Sequence, residues 1–201
     1  MYGGLSWVTM RFVVIAFVGL LGFCSLGADT AASKPVVMFV GAHPDDSEGF
    51  MGLALLMREK YTVQFVDFTR GEGGCGEEGF LDGTTAARRI AEERDVCRAF
   101  GTSPRFLSQM NYRGRAYADA QATAELVDLL VEFKPVAVFT HWPVDGHVDH
   151  VQCAATVLHA LSNAARAGHP RPELYFFEVA VWQTMNYRPT YYVDVTPVIG
   201  E

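Results

Sequence analysis

The chain has 201 residues, half of them hydrophobic, and a formal net charge of −7. This length and hydrophobic content suit one well-buried domain and are too small for two large ones. The acidic balance excludes a broad nucleic-acid-binding surface, because Lys and Arg form no run longer than a pair such as Arg88-Arg89.

The first segment, residues 1–32, has the layout of a secretory signal. Arg11 precedes an unbroken apolar run at 12–24, and small residues suited to cleavage follow at 27–32. An apolar run of this length spans only about 20 Å as a helix, which is short for a bilayer crossing. We therefore expect a cleaved signal and an exported protein whose domain covers 33–201, with an uncleaved N-terminal membrane anchor as the alternative.

Beyond this segment, short apolar runs alternate with helical patterns. The apolar runs predict strands at 35–42, 62–69, 104–109, 135–142, 173–182 and 190–196. The helical patterns predict helices at 47–60, 85–101, 119–134 and 147–166, and a glycine-rich stretch predicts a mobile loop at 71–83. Such alternation predicts a Rossmann-like α/β domain, with a mostly parallel sheet and helices on both faces.

Polar clusters follow three of the predicted strands. Residues 43–46 leave the first strand, residues 69–72 leave the second, and residues 141–150 leave the fourth. In sheets of this type, ligands bind beyond the carboxyl ends of the strands. The three clusters should therefore share one rim, which predicts a functional site there.

Two of these clusters carry His and Asp at a spacing that suits a metal. His43 and Asp46 are three apart across a Pro-containing turn, and His147 and His150 are three apart at a helix start, where such residues share one face. Taken singly, the first pair also fits a turn with an Asp N-cap, and the second fits a solvated helix start. Together they predict a catalytic Zn²⁺ with three protein ligands and an open position for water. Fe²⁺ would suit a set of two His and one Asp equally well.

Other polar residues near this rim allow two interpretations each. Arg70 and Glu72 fit either a salt-bridged loop start or a substrate contact. Asp145 fits either a turn residue before Gly146 or a contact to a metal or a sugar hydroxyl. The sequence alone leaves both choices open.

The paired motifs AHPDDSE (42–48) and THWPVDGHVDH (140–150) resemble those of the PIG-L/LmbE family of zinc-dependent de-N-acetylases. The similarity extends through TRGEGG (69–74), RIAE (89–92) and RPTYYVDVT (188–196). The family includes the enzyme that acts on N-acetylglucosaminyl-phosphatidylinositol and the deacetylases of mycothiol and bacillithiol synthesis. The resemblance implies hydrolysis of an N-acetyl group on an amino sugar or its conjugate.

The resemblance also implies roles for individual residues. It implies that His43, Asp46 and His150 are the metal ligands and that Asp45 is the general base. It further implies that His147 stabilises the oxyanion or protonates the amine, that Asp149 is a supporting carboxylate, and that Arg89 contacts the substrate. Arg70 is a second candidate for a substrate contact because of its position in the chain.

The chain departs from the family pattern at three places. Ser47 stands where relatives carry Glu, and Glu48 is shifted by one position. Asn111-Tyr112 replaces a frequent Asp-Gly after the third strand, which should alter the rim of the substrate pocket. Relatives usually continue beyond the position of Glu201, so a domain truncated at its C-terminus is expected.

Two other classes of protein were weighed against a deacetylase. A catalytically weak, exported carbohydrate-binding relative would bind metal and sugar without releasing acetate. A Rossmann-type nucleotide-binding domain would need GxGxxG after the first strand, where residues 43–46 read His-Pro-Asp-Asp instead. The expected partner is an N-acetylated sugar or glycoconjugate, without nucleic acid and with membrane contact only through the N-terminal segment.

Overall fold

The computed structural model describes residues 33–111, 116–179 and 183–200. The predicted signal or anchor at residues 1–32 lies outside the described residues, as does Tyr112 of the Asn-Tyr pair. Among the described residues, no helix combines the length and the apolar character that a membrane crossing requires.

The central sheet contains five strands, all paired in parallel, in the order β3-β2-β1-β4-β5. The strands are β1 (Val36–Gly41), β2 (Thr62–Asp67), β3 (Arg105–Phe106), β4 (Ala137–His141) and β5 (Glu173–Phe177). The chain builds outward from β1 to β3 and then restarts with β4 on the other side of β1. A crevice at the carboxyl ends of β1 and β4 therefore marks the switch point at which sheets of this kind bind ligands.

Helices cover both faces of the sheet, which explains why its central strands are continuous apolar runs. The helices are α1 (Met51–Met57), α2 (Gly76–Leu81), α3 (Thr84–Ala99), α4 (Ala120–Phe133) and α5 (Val148–Arg166). Alternate residues of β1 face opposite sides: Met38 packs into a core with α4 and α5, and Phe39 packs into a core with Phe65 and Cys97 of α3. The predicted α/β class is confirmed.

The structure corrects the glycine-rich stretch at 71–83, which was predicted to be a loop. A 3₁₀ turn at Glu72–Cys75 leads directly into α2, and positive φ angles of 69° at Gly71 and 73° at Gly83 form the turns on either side. Glycine adopts such angles without steric cost, so here Gly71 precedes the 3₁₀ turn and Gly83 caps the start of α3.

The predicted strand at 190–196 is wrong. This segment pairs with no strand of the described residues, and Tyr191 and Tyr192 are 75% and 86% exposed. Val195 packs against Gly52 of α1, where an added Cβ would lie 2.8 Å from Val195 Cγ1. The alternating pattern here belongs to an irregular segment that leads into a 3₁₀ turn at Thr196–Val198 and contacts a helix through Val195, without a ladder of backbone hydrogen bonds.

Three other predicted elements are shorter than expected. The helix predicted at 47–60 divides into a 3₁₀ turn at Pro44–Gly49 and the short α1, and the strand predicted at 104–109 is reduced to β3. The strand predicted at 173–182 ends at Phe177, and residues 180–182 of that prediction lie outside the described residues. The 3₁₀ turn carries Asp45 and Asp46 directly over the end of β1, so this division of the helix shapes the site.

Candidate metal centre

A cavity of about 520 Å³ lies over the carboxyl ends of β1 and β4. Its lining includes His43, Asp45, Asp46, His147 and His150. The first and third polar clusters of the sequence therefore meet here, as the sheet topology requires.

Three buried side chains of this cavity form a compact group of potential ligands. One ligand atom each from His43, Asp46 and His150 lies within 4.8 Å of the others, and the three residues are 7%, 4% and 2% exposed. His43 and Asp46 are held by the 3₁₀ turn, in which Asp46 N donates to the His43 carbonyl at 3.1 Å. His150 lies in the first turn of α5, which starts from the neighbouring strand.

The two oxygens of Asp46 have different surroundings. Oδ2 accepts hydrogen bonds from Ala42 N and His43 N, both at 2.8 Å, and lies 3.0 Å from His141 Nε2. Oδ1 faces His150 Nε2 at 3.4 Å. Burial alone would raise the pKa of Asp46, but its interactions with the neighbouring histidines, that with His141 being the largest, hold this pKa well below its usual range. Asp46 is therefore a carboxylate anion whose Oδ1 faces His150 and whose Oδ2 faces His43 Nδ1 at 3.6 Å and is surrounded by N–H groups.

A carboxylate orients His150 from behind. His150 Nδ1 donates to Asp145 Oδ1 at 3.1 Å, and this oxygen also accepts from His147 N at 2.8 Å. Asp145 Oδ2 accepts from Thr184 Oγ1 at 3.0 Å. Asp145 thus closes the turn and also directs the His150 ring, so both interpretations considered from the sequence contain part of its role.

A second carboxylate, that of Asp149, contacts His43. His43 Nε2 lies 3.1 Å from Asp149 Oδ2, and His43 Nδ1 lies 3.6 Å from Asp46 Oδ2. Burial would lower the pKa of His43, but hydrogen bonds with Asp149 and Asp46 outweigh it and raise the pKa to about 10. Two buried carboxylates therefore hold a positive charge at this point.

These observations fit a divalent cation. The group places two imidazoles and one carboxylate together, a donor set used by both zinc and iron. The buried carboxylates of Asp46 and Asp149 flank His43, and Asp149 Oδ1 is buried without a hydrogen-bond partner. The group at His43, Asp46 and His150 could therefore hold a metal.

Asp45 lies beside this group but has a different partner. Its side chain is 54% exposed and lines the cavity. It forms an ion pair with Arg89, whose Nη1 lies 2.8 Å from Asp45 Oδ1. The glycine-rich segment closes over Arg89, since an added Cβ at Gly74 would lie 2.5 Å from Arg89 Nη2 and one at Gly71 would overlap Arg89 Cδ. Arg89, expected to contact substrate, is thus placed against the candidate general base.

Arg70 lies in the neighbouring loop. Its Nη1 is 3.8 Å from Glu72 Oε1, and Glu72 Oε2 accepts from Arg70 N at 3.2 Å and from Asn111 N at 3.4 Å. Arg70 is not among the described residues that line the cavity. Arg70 therefore makes the loop-start contact that was one of its two interpretations, and its contact with substrate stays a prediction.

His147 completes the polar lining of the cavity. Burial lowers its pKa, and the nearby charges of His43 and His150 lower it further. His147 Nδ1 accepts a hydrogen bond from Asp149 N at 3.2 Å, so the proton of the neutral ring is on Nε2. This histidine can therefore donate a hydrogen bond into the cavity without being charged.

Sequence reasoning assigned no role to one contributor to the site, His141. His141 is 1% exposed at the end of β4, and burial lowers its pKa although Asp46 opposes this. A polar residue at the last position of an otherwise apolar strand was the available signal. The geometry thus defines an α/β protein with a candidate metal centre at the switch point of its sheet.

Residues 38–161 match the family model described as GlcNAc-PI de-N-acetylase (PIG-L), and the chain belongs to this family. Among solved structures, the N,N'-diacetylchitobiose deacetylase from Pyrococcus horikoshii is 21% identical with a TM-score of 0.64, over 81% of this chain and 64% of that one. The 4-carboxy-2-hydroxymuconate hydratase from Pseudomonas putida is 20% identical with a TM-score of 0.64, and the match covers 83% of this chain and 75% of that one. A conserved protein from Thermus thermophilus is 24% identical with a TM-score of 0.57, and the match covers 70% of this chain and 64% of that one.

At these identities the solved structures show a shared fold. One of them is a deacetylase and another a hydratase by name, so the fold by itself does not select the reaction. The chain spans 64% of the length of the Thermus protein and of the Pyrococcus deacetylase.

Proposed function

We propose that this protein is a metal-dependent deacetylase that hydrolyses an N-acyl group, specifically N-acetyl, on an amino sugar or its conjugate. The observation that carries the proposal is the pairing of a buried His₂Asp group with a half-exposed carboxylate, Asp45, in one cavity. Family membership supports the deacetylase activity, and the resemblance of the motifs supports the sugar substrate.

The two adjacent aspartates divide the chemistry. His43, Asp46 and His150 would hold Zn²⁺, or Fe²⁺ in its place, which would polarise the amide carbonyl and lower the pKa of water toward ~7. Asp45 keeps its carboxylate in the cavity and takes a proton from the attacking water. Arg89 binds one oxygen of Asp45, which leaves the other free to accept that proton.

His147 acts on the other side of the reacting amide. Its Nε2–H donates a hydrogen bond to the oxygen on which negative charge develops as water adds to the carbonyl carbon. The C–N bond then breaks, and the proton first taken from water returns to the departing amine. The products are a carboxylate, acetate in the proposed case, and the free amino sugar.

Acetate release from a panel of N-acetylated sugars tests this proposal. N-acetylglucosamine, N,N'-diacetylchitobiose and an N-acetylglucosaminide with a hydrophobic aglycone are incubated with the full chain, with and without chelator. We expect acetate release that chelation abolishes and Zn²⁺ or Fe²⁺ restores. Full activity in a metal-free preparation would refute the mechanism, and metal and sugar binding without acetate would favour the carbohydrate-binding alternative.

We further propose that residues 1–32 direct export, a proposal supported by the layout of the sequence. The N-terminus of protein recovered from the culture medium or periplasm should lie between residues 28 and 33. Protein that starts at Met1 and remains with the membrane fraction would instead support the N-terminal anchor.

A further inference from the structure

His141 is a buried histidine of the site that is not one of the grouped ligands. It is 1% exposed, and its Nε2 lies 3.0 Å from Asp46 Oδ2. Its ring stacks on that of His150, with centroids 4.2 Å apart and planes inclined by 10°, and its other neighbour is the Phe177 ring at 4.8 Å. The residue is therefore held firmly between two of the three candidate ligands.

The hydrogen-bond network determines which nitrogen of His141 carries the proton. A carboxylate oxygen can only accept, so the short approach to Asp46 Oδ2 requires a proton on His141 Nε2. Ala42 N also lies 2.9 Å from Nε2, but its N–H has Asp46 Oδ2 as an acceptor at 2.8 Å. His141 Nδ1 is buried without a hydrogen-bond partner, as suits the unprotonated nitrogen of a neutral ring.

The network leaves the two oxygens of Asp46 with different capacities. Oδ2 lies 3.6 Å from His43 Nδ1, but three N–H groups, those of Ala42, His43 and His141, are directed at its lone pairs. Oδ1 faces His150 and remains available. A carboxylate without such restraint can bind through both oxygens and occupy an additional coordination position.

We propose that His141 is a positioning residue that restricts Asp46 to binding the metal through Oδ1 alone. The inference rests on the proposed metal-dependent function, because it concerns how the same ligand group is oriented. Binding through one oxygen preserves the open position that water and the substrate carbonyl need. Residues behind metal ligands commonly influence metal affinity about 10–100-fold.

Two amide substitutions that differ by one methylene test the reach of the donor. In H141Q the amide N–H₂ extends to about the position of Nε2, and in H141N it is too short to reach Asp46 Oδ2. We expect H141N to lose about 10–100-fold in Zn²⁺ affinity by chelator competition, and H141Q to remain within a few-fold of wild type. His159→Asn, on an exposed face of α5, is the matched control and should bind as wild type does.

The visible spectrum of bound Co²⁺ reports the coordination of the metal. A loss of side-chain packing around His141 would not change this spectrum in the same way. Co²⁺ loaded into wild type and H141Q should give matching visible absorption, and H141N should give a weaker spectrum typical of higher coordination. Folding is checked by thermal unfolding of the metal-free proteins, and H141M replaces H141N as the variant without a donor if H141N does not fold.

The outcomes separate this inference from the proposed function. Equal Zn²⁺ affinity and equal cobalt spectra in all variants would overturn the role of His141 while leaving the metal site in place. An equal loss in H141Q and the variant without a donor would also overturn it, since the donor would then not matter. A wild-type protein that binds no divalent metal would instead refute the proposed function.

Discussion

Asp45→Asn tests the division of work between the two adjacent aspartates. The substitution keeps the shape of the side chain but removes the group that takes a proton from water. General-base catalysis contributes about 10²–10⁴-fold to rate, so kcat should fall by that factor, equivalent to about 3–5 kcal/mol in the barrier.

The structure also sets what Asp45→Asn should leave unchanged. The side chain is 54% exposed and its ion pair with Arg89 is partly solvated, so the loss of folding stability should stay below about 1 kcal/mol. Arg89 remains enclosed by the glycine-rich segment. Metal content should be retained, because the three grouped ligands do not include Asp45.

The assay combines acetate release at saturating substrate with metal analysis of the same sample. Asp46→Asn is the matched control: it changes the neighbouring carboxylate, which is 4% exposed and belongs to the ligand group, and should lose metal and activity together. The reasoning is refuted if Asp45→Asn keeps kcat within tenfold of wild type, or if it loses metal in proportion to its activity.

Three further outcomes concern stability. Phe39→Ala should cost about 3–5 kcal/mol in urea unfolding, because Phe39 is fully buried and stacks on Phe50, Phe65 and Phe139; a loss under 1 kcal/mol would contradict this packing. Burial raises the pKa of Glu93 from 4.5 to about 7, so the folded state holds a proton that the unfolded state loses, and stability should fall by up to about 3 kcal/mol as pH rises from 4.5 to 7. Glu93→Gln should flatten that fall, and parallel stability curves for the two proteins would disprove the assignment. Zn²⁺ at about 1,000 times its Kd should stabilise the fold by about 4 kcal/mol, or roughly 10 °C in Tm, and chelator should reverse it; an unchanged Tm would count against metal binding.

Features that depend on neighbours in sequence could be predicted. Apolar runs between turn residues located three of the five strands closely, β1, β2 and β4, and strand–helix alternation predicted the parallel sheet. The carboxyl ends of parallel strands meet at one edge, so the motifs after β1 and β4 had to converge. That convergence and the spacings within each motif bring four candidate ligands to one place, His43, Asp46, His147 and His150. The family resemblance, and not the spacing, implies the set of His43, Asp46 and His150, which the structure groups within 4.8 Å.

Features that depend on a distant partner were decided by the tertiary structure. His141 and Ala42 are 99 positions apart, and their approach to Asp46 depends on how β4 lies beside β1. Arg89 reaches Asp45 because α3 packs beside the 3₁₀ turn at the end of β1. The segment at 190–196 has the alternation of a strand but contacts a helix, and alternation alone does not specify a pairing partner. The sequence by itself determined which side chains stand at the rim of the sheet. Only the packing of distant elements decided which of them orient a ligand and which hold the base, because each hydrogen bond needs its partner within about 3 Å.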